Sequence, residues 1–270
     1  MIVGATFAAA HSDFQGKGPR IQSRERRSIE SVDLSGVGDP LFFPDSAVDY
    51  LRANPAYTID RFPLLAEPPA EELARAYQEG RIAGDWRNLR RHLPNRAESV
   101  LDIGSGIGAI DVLLYRALDR PRLTLVDRAK RTLQGRDFDV LRVSREFFDG
   151  NDVPDSKARW IDARDPAALG AVAADSYDLV LSLRGLGYLF PYELYRGAIR
   201  SSIAPGGELI LDARKMETSR RLDAAGHAEL EAAGVRDYRA LEQLLMRDFR
   251  SLKRIGEGVD RVRLKASGKQ

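Results

Sequence analysis

The 270-residue chain contains no cysteine. That excludes disulfides, thiolate metal sites and a cysteine nucleophile. It fits a cytoplasmic protein, and cytoplasmic is the expected location. Histidine is scarce as well: His11, His92 and His227 are the only three, and none falls at the end of an expected strand. No apolar run is long enough to span a bilayer. Met1 to Ala10 is mildly apolar but lacks a leading basic segment, so a signal peptide is not expected. A strong net charge is missing too. Lysine and arginine total 42 against 40 acids, which leaves +2 and no electrostatic drive towards nucleic acid or a membrane. What remains is a chain 43% hydrophobic and 30% charged, enough for one large domain with an appendage and an ample core.

Within it, Ser99-Val100-Leu101-Asp102-Ile103-Gly104-Ser105-Gly106-Ile107-Gly108-Ala109-Ile110 reads as a buried strand, a glycine-rich turn and the start of a helix. Glycines remove side chains where a ligand must approach the backbone. The helix start presents free N–H groups at its positive end, which suits anionic or strongly accepting groups. A second strand, Leu123 to Asp127, ends in an acid 19 residues after Gly108. A nucleotide-binding α/β unit places a carboxylate there to accept from both ribose hydroxyls. The plainer alternative for Asp127 is a helix cap. Gly104, Gly106 and Ala109 also satisfy the G-x-G-x-x-A spacing of NAD enzymes, so the loop alone leaves two cofactor classes open.

Residues 1–40 read as an irregular arm with a basic cluster at Arg20, Arg24, Arg26 and Arg27. Residues 41–97 read as a helical cap. Its helices are expected at Ala47–Ala53 with Ser46 as N-cap, at Ala70–Glu79 ending at Gly80, and at Gly84–Leu93. Residues 98–270 read as one further domain, of which 98–215 carry the α/β alternation. Strands are expected at 99–103, 123–127, 158–163, 177–183 and 208–212. Helices are expected at about 107–118, 138–147, 165–173 and 192–203, and a further helical stretch at 217–248 with a break near Gly234. Strand 177–183 is almost wholly apolar, as a central parallel strand should be. The tail, Phe249–Arg254 and Val259–Leu264 around Gly256-Glu257-Gly258, has the alternation of a hairpin. Such a hairpin does not belong to the ordinary NAD-binding half.

Taken together, residues 98–265 resemble the class I S-adenosylmethionine (SAM) methyltransferases. The resemblance rests on Asp102-x-Gly104-x-Gly106-x-Gly108, on Asp127, on the Asp162-Ala163 pair, on strand Asp178–Leu183, on the turn Ala204-Pro205-Gly206-Gly207 and on the terminal hairpin. It implies an α/β Rossmann-like sheet of seven strands, the last antiparallel, with helices on both faces beneath the N-terminal cap. The segment Ser182 to Tyr195, with Asp212-Ala213-Arg214, is similar to proteins classed as sugar O-methyltransferases. Gly185 departs from the small polar residue of that pattern.

The resemblance also assigns roles. Gly104, Ser105, Gly106 and Gly108 would pack against the methionine part of SAM, with Asp102 near its ammonium group. Asp127 would accept from the ribose, and Arg128 would cover the adenine. Asp162 would accept from the adenine amino group, while the Ala163 N–H would donate to the ring. Ser182 and Leu183 would line the reactive methyl. Arg184, Tyr188 and Asp212 are the catalytic candidates. Arg184, Tyr188, Tyr192, Arg214 and Lys215 are the substrate-binding candidates, facing an anionic or polyhydroxylated small molecule. No metal is expected, because Ser182 stands where metal-dependent relatives carry an acid. No nucleic-acid or membrane partner is expected, and an exposed cap and arm would suit a homodimer. The expected function is O-methylation of a small hydroxylated acceptor, with S-adenosylhomocysteine as product. The alternatives are a SAM-fold protein that binds without catalysis and an NAD(P)-dependent oxidoreductase.

Overall fold

Alternating apolar side chains along buried strands decide the layering of this molecule. In a strand, successive side chains face opposite sides, so a strand apolar at every position must be covered on both. The computed structural model describes residues 40–54, 69–186, 195–215, 228, 232 and 237–270. In chain order the elements are α1 (Asp45–Ala53), α2 (Ala70–Tyr77), α3 (Ala83–Arg90), β1 (Ser99–Ile103), α4 (Ala109–Ala117), β2 (Arg122–Asp127), β3 (Lys130–Leu133), β4 (Arg136–Asp139), α5 (Val140–Asp149), β5 (Ala158–Asp162), α6 (Pro166–Ala174), β6 (Tyr177–Ser182), β7 (Ile203–Arg214), α7 (Tyr238–Asp248), β8 (Phe249–Glu257) and β9 (Arg261–Lys269).

Seven strands form one sheet in the order β5-β2-β1-β6-β7-β9-β8, and β9 runs antiparallel to both its neighbours. This is the mixed seven-stranded sheet expected. Val100, Leu179, Leu181 and Ile210 face one side of it, where α1 to α5 supply Tyr50, Leu51, Leu73, Trp86, Leu89, Leu113, Phe147 and Phe148. Leu101, Val180, Leu209 and Leu211 face the other, covered by Val172 of α6, by Tyr195 and Ile199, and by Leu241 and Leu245 of α7. Cap residues thus share one apolar cluster with the sheet.

Several boundaries differ from expectation. Helix α1 is capped by Pro44, not Ser46, whose buried hydroxyl has no partner. Gly80 does not end a helix. It lies inside a π-helical turn, Gln78–Ile82, that joins α2 to α3 without a break. The turn lets Gln78, Ile82, Asp85, Trp86 and Leu89 all bury, and that burial overrides the breaking tendency of glycine. The region from Lys130 to Asp139, unassigned by the pattern before the helix expected at about 138–147, is a β-hairpin, and that helix runs from Val140 to Asp149. Its turn residues Gln134 and Gly135 both take positive φ (51° and 73°), as a two-residue hairpin turn requires. Strand β7 begins at Ile203, five residues early, because Ala204 to Gly207 form an irregularity within its pairing to β6. The expected arm (1–40, apart from Pro40) and most of the stretch 217–236 lie outside the described residues.

Chain order places the switch of direction between β1 and β6: β1, β2 and β5 extend one way, β6 and β7 the other. Open α/β sheets bind ligands at that crevice, beyond the carboxyl ends of the strands. The helix that starts there, α4, approaches α5 closely. Gly108 has φ 79°, and a Cβ on it would lie 2.3 Å from Cε2 of Phe148.

Gly108→Ala should therefore destabilise the fold by about 1–3 kcal/mol through overpacking, with about 1 kcal/mol more from the left-handed backbone. Adding Phe148→Leu should return part of that loss. Urea denaturation of both single variants and the double variant checks this; simple additivity would show that the two sites do not meet.

Candidate functional site

Buried strand ends converge on the crevice between β1 and β6. The loop after β1 carries Gly104, Gly106 and Gly108 at φ 84°, 61° and 79°, all in the left-handed region. A Cβ on Gly106 would meet nothing within 4 Å, so the loop is open on that side. Its shape is held from below. The Gly104 N–H donates to the Val126 carbonyl (2.8 Å), and the Gly106 N–H donates to Oδ2 of Asp127 (2.7 Å).

Asp127, at the end of β2, is wholly buried. Its Oδ1 accepts from the Arg128 N–H (2.7 Å) and is ion-paired with Arg131. Arg131 also donates to the hydroxyl of Tyr50 (3.3 Å), which ties hairpin β3–β4 to the cap. Arg131 was not expected here, because the hairpin that carries it was not. The Gln134-Gly135 pair between two alternating stretches was the available signal, weakened by Gln in place of the usual Asn or Asp. Arg128 itself is exposed.

Asp102 presents the opposite situation. It is buried, and its Oδ1 has no hydrogen-bond partner. Beside it lies Asp111, in the first turn of α4, also buried and with neither oxygen partnered. The Ser105 hydroxyl in the same loop is likewise unpartnered. Burial pushes the Asp102 carboxyl well above the usual carboxylate range, with Asp111 and then Asp127 adding to it. Burial also raises Asp111, to about 7. Asp111 escaped the sequence reading, although an acid inside Ile110-Asp111-Val112-Leu113-Leu114 was visible.

The edges of the crevice are more committed than expected. Oδ1 of Asp162 accepts from the N–H groups of Ala129 (3.2 Å) and Arg164 (3.0 Å). The Ala163 N–H donates to the Asp127 carbonyl (2.8 Å), so it is not free for an adenine ring. The Ser182 hydroxyl is fully buried, donating to the Ile103 carbonyl (2.8 Å) and accepting from the Leu186 N–H (2.6 Å). It braces the turn. Leu183 packs against the core beneath the cap. Tyr188 and Tyr192 lie outside the described residues.

Beyond β6 and β7 lies a buried charge network. Arg263 of β9 grips Asp212 with Nε (2.7 Å) and Nη2 (3.0 Å), and reaches Asp85 of α3 with Nη2 (2.7 Å). Arg184 pairs with Asp85 (2.9 Å), and Arg261 lies 3.4 Å from Asp85 and 3.7 Å from Asp212. Three guanidinium groups thus face two carboxylates. Burial works against charge on Asp85, but Arg184, Arg263 and Arg261 outweigh it and hold the carboxyl below the usual range. Arg184 has φ 61°, a strained setting for a non-glycine residue and one common at functional sites. Asp212, expected as a catalytic candidate, has both oxygens held by Arg263. Lys215 pairs with Glu257 and donates to the Gly258 carbonyl (3.1 Å), so its ammonium group secures the β8–β9 turn. Arg214 is buried on β7, opposite Arg261. Asp85 and the two β9 arginines were missed. The alternation Arg261-x-Arg263 put both on one face, but nothing in sequence tied that face to α3. Among the described residues, no group of three or more acids or histidines could hold a metal ion.

No family model and no curated protein matches this sequence. Solved structures do. An O-methyltransferase family protein from Burkholderia thailandensis aligns over 82% of this chain and 70% of its own, at 13% identity and TM-score 0.50. The mitomycin 7-O-methyltransferase MmcR aligns over 75% of this chain at 17% identity and TM-score 0.48, and this chain spans 58% of its length. The SAM-dependent methyltransferase SibL aligns over 84% of this chain and 70% of its own, at 20% identity and TM-score 0.44. At 13% identity, the likeness to the first is one of fold.

Removing one partner of a buried ion pair leaves an uncompensated charge. Arg263→Met should destabilise the protein by about 3–5 kcal/mol near pH 7.5. Asp85, held ionised by the arginines, contributes stability that is present above the unfolded carboxylate value and lost as pH falls. The variant's deficit should therefore shrink only as pH falls below the unfolded carboxylate value, to about pH 3, where Asp85 takes up a proton. Chemical unfolding at the two pH values measures both effects.

Proposed function

We propose that this chain, which has the fold of the class I SAM-dependent methyltransferases, transfers a methyl group from SAM to an oxygen of a small acceptor. The observation that carries the reading is the pairing of two unlike acids across one open glycine loop. Asp127 braces the loop from within, while Asp102 offers a buried oxygen that has no donor. A ligand that brings a cation to one and hydroxyl donors to the other fits this pair. SAM, with an α-ammonium group and a ribose, is such a ligand, and NAD brings no ammonium group to Asp102.

On this reading Asp102 and the Ser105 hydroxyl would hold the amino-acid end, and Asp127 would accept from the ribose at the oxygen that Arg131 holds. Gly104, Gly106 and Gly108 keep side chains out of the way. Bound SAM supplies a methyl group activated by its sulfonium charge, so the protein's work is alignment and exclusion of water. Arg184 and Arg261, at the rim of the ion-pair network, would orient an acceptor that is anionic or rich in hydroxyls. The excess of one positive charge among five buried or half-buried groups favours an anion. The commitment of Asp212 to Arg263 removes one base candidate and favours a second reading, a protein that binds SAM without turnover.

Calorimetry should show micromolar binding of S-adenosylhomocysteine and none of NAD⁺, with Asp127→Ala weakening the former at least about tenfold. NAD⁺ binding alone would reverse the cofactor assignment. Once an acceptor is found, Arg184→Ala should raise its KM about tenfold or more while leaving S-adenosylhomocysteine affinity within about twofold. An unchanged KM would remove Arg184 from acceptor binding. Cofactor binding with no turnover across hydroxylated acceptors would favour the second reading.

A further inference from the structure

Asp85 has no part in the reading above, yet among the described residues it alone touches all three arginines beyond β6. Its Oδ2 lies 2.9 Å from Nη1 of Arg184, and its Oδ1 lies 2.7 Å from Nη2 of Arg263 and 3.4 Å from Nη2 of Arg261. A buried carboxylate on a cap helix is costly and needs such partners. Its inward aim depends on the π turn Gln78–Ile82 that leads into α3. A π turn takes in one residue more than an α-helical turn, and one residue is about 100° of rotation. Arg263 does not depend on Asp85, because its guanidinium also binds both oxygens of Asp212. The three arginines differ in openness as well. The side chain of Arg263 is 5% exposed, that of Arg184 17% and that of Arg261 28%. A solute thus reaches Arg184 and Arg261, and Asp85 is paired with both.

Resting on the reading of Arg184 and Arg261 as acceptor-binding residues, we infer that Asp85 is the specificity-determining residue of that site, and that its fixed negative charge favours an acceptor with one negative charge, a carboxylate, over one with two, a phosphate. Any oxyanion held by Arg184 and Arg261 shares them with Asp85 and lies within its field. That field opposes a doubly charged group twice as strongly as a singly charged one at the same distance. Discrimination of this kind works by repulsion of the wrong ligand, not by an added contact to the right one. The arginines stay the attractive part of the site, and Asp85 sets how much charge they accept. The cap therefore shapes acceptor choice through one side chain of α3.

The probes are acetate and inorganic phosphate, the second doubly charged in mildly alkaline buffer. Thermal unfolding of the full chain is followed against each anion at constant ionic strength, since a bound ligand stabilises in proportion to the logarithm of its concentration over Kd. Stabilisation that persists when Arg184→Ala is added to the same protein is general salt action and is subtracted. Asp85→Asn keeps the shape and removes the charge. It should tighten acetate about tenfold and phosphate by about the square of that, so the preference for phosphate over acetate rises about tenfold. Asp85→Glu restores the charge and should return the preference to that of the unaltered protein. If Asp85→Asn does not fold, Arg261→Gln lowers the charge by one and should move the preference about tenfold the other way. Equal gains for both anions or weaker binding of both in Asp85→Asn, or an unmoved preference in Arg261→Gln, would overturn the inference while leaving Arg184 as an acceptor residue. Stabilisation by both anions that is the same with and without Arg184 would overturn the acceptor's placement at Arg184 and this inference together. Neither result touches the SAM reading, which S-adenosylhomocysteine calorimetry tests separately.

Discussion

The carbonyl of Ile103 is the point on which the crevice hangs. It is the last backbone acceptor of β1, directly before the glycine loop, and Ser182 of β6 donates its hydroxyl to it at 2.8 Å. That single bond closes the ends of the two strands at which the sheet changes direction. The same carbonyl explains Gly185. A Cβ there would lie 2.0 Å from the Ile103 oxygen and 2.5 Å from Oγ of Ser182, so no larger residue could occupy the position without opening the strand ends. Gly185 departs from the similar sugar O-methyltransferase pattern because the chain here turns directly over its neighbour's backbone. Arg184 follows from it: the turn leaves its φ at 61° and aims its guanidinium at Asp85.

Charge is distributed over the crevice in two unlike ways. Beyond β6 and β7, Asp85 and Asp212 are bound by more arginines than they can neutralise. Around the glycine loop Asp127 has three donors, whereas Oδ1 of Asp102 and both oxygens of Asp111 have none. A buried polar group without a partner costs free energy in the folded state, and such costs collect where a ligand will supply the missing partner. The asymmetry is therefore informative about polarity. One side has acid oxygens without donors, and the other carries spare positive charge.

Much of this architecture could be read from the chain. The apolar strands, the glycine loop, the acid after β2 and the terminal hairpin are local patterns, and local patterns survive without knowledge of contacts. What escaped is whatever depends on a distant partner. Gly80 reads as a helix stop, yet burial of Ile82 and Asp85 carries the helix through it in a π turn. Ala163 reads as a free N–H and is instead spent on the Asp127 carbonyl. Asp212 reads as a reactive strand-end acid, but Arg263 stands opposite it in the antiparallel register, a neighbour that sequence order hides. Roles that rest on a side chain being unoccupied are the ones that sequence cannot supply.

Arg131 links the end of β2 to the cap. It holds the oxygen of Asp127 that a ribose would need, and it holds the hydroxyl of Tyr50 on the cap helix. A ligand hydroxyl can accept from this guanidinium while donating to the carboxylate, so entry need not strand either group in the buried interior. On the proposed reading the hairpin β3–β4 is then more than an insertion between β2 and α5. It carries the cation paired with Asp127, and it joins the strand end to the cap. The acid on the other side of the loop has no such guardian, and the contrast between the two is the feature that selects a ligand with one cationic end and one hydroxylated end.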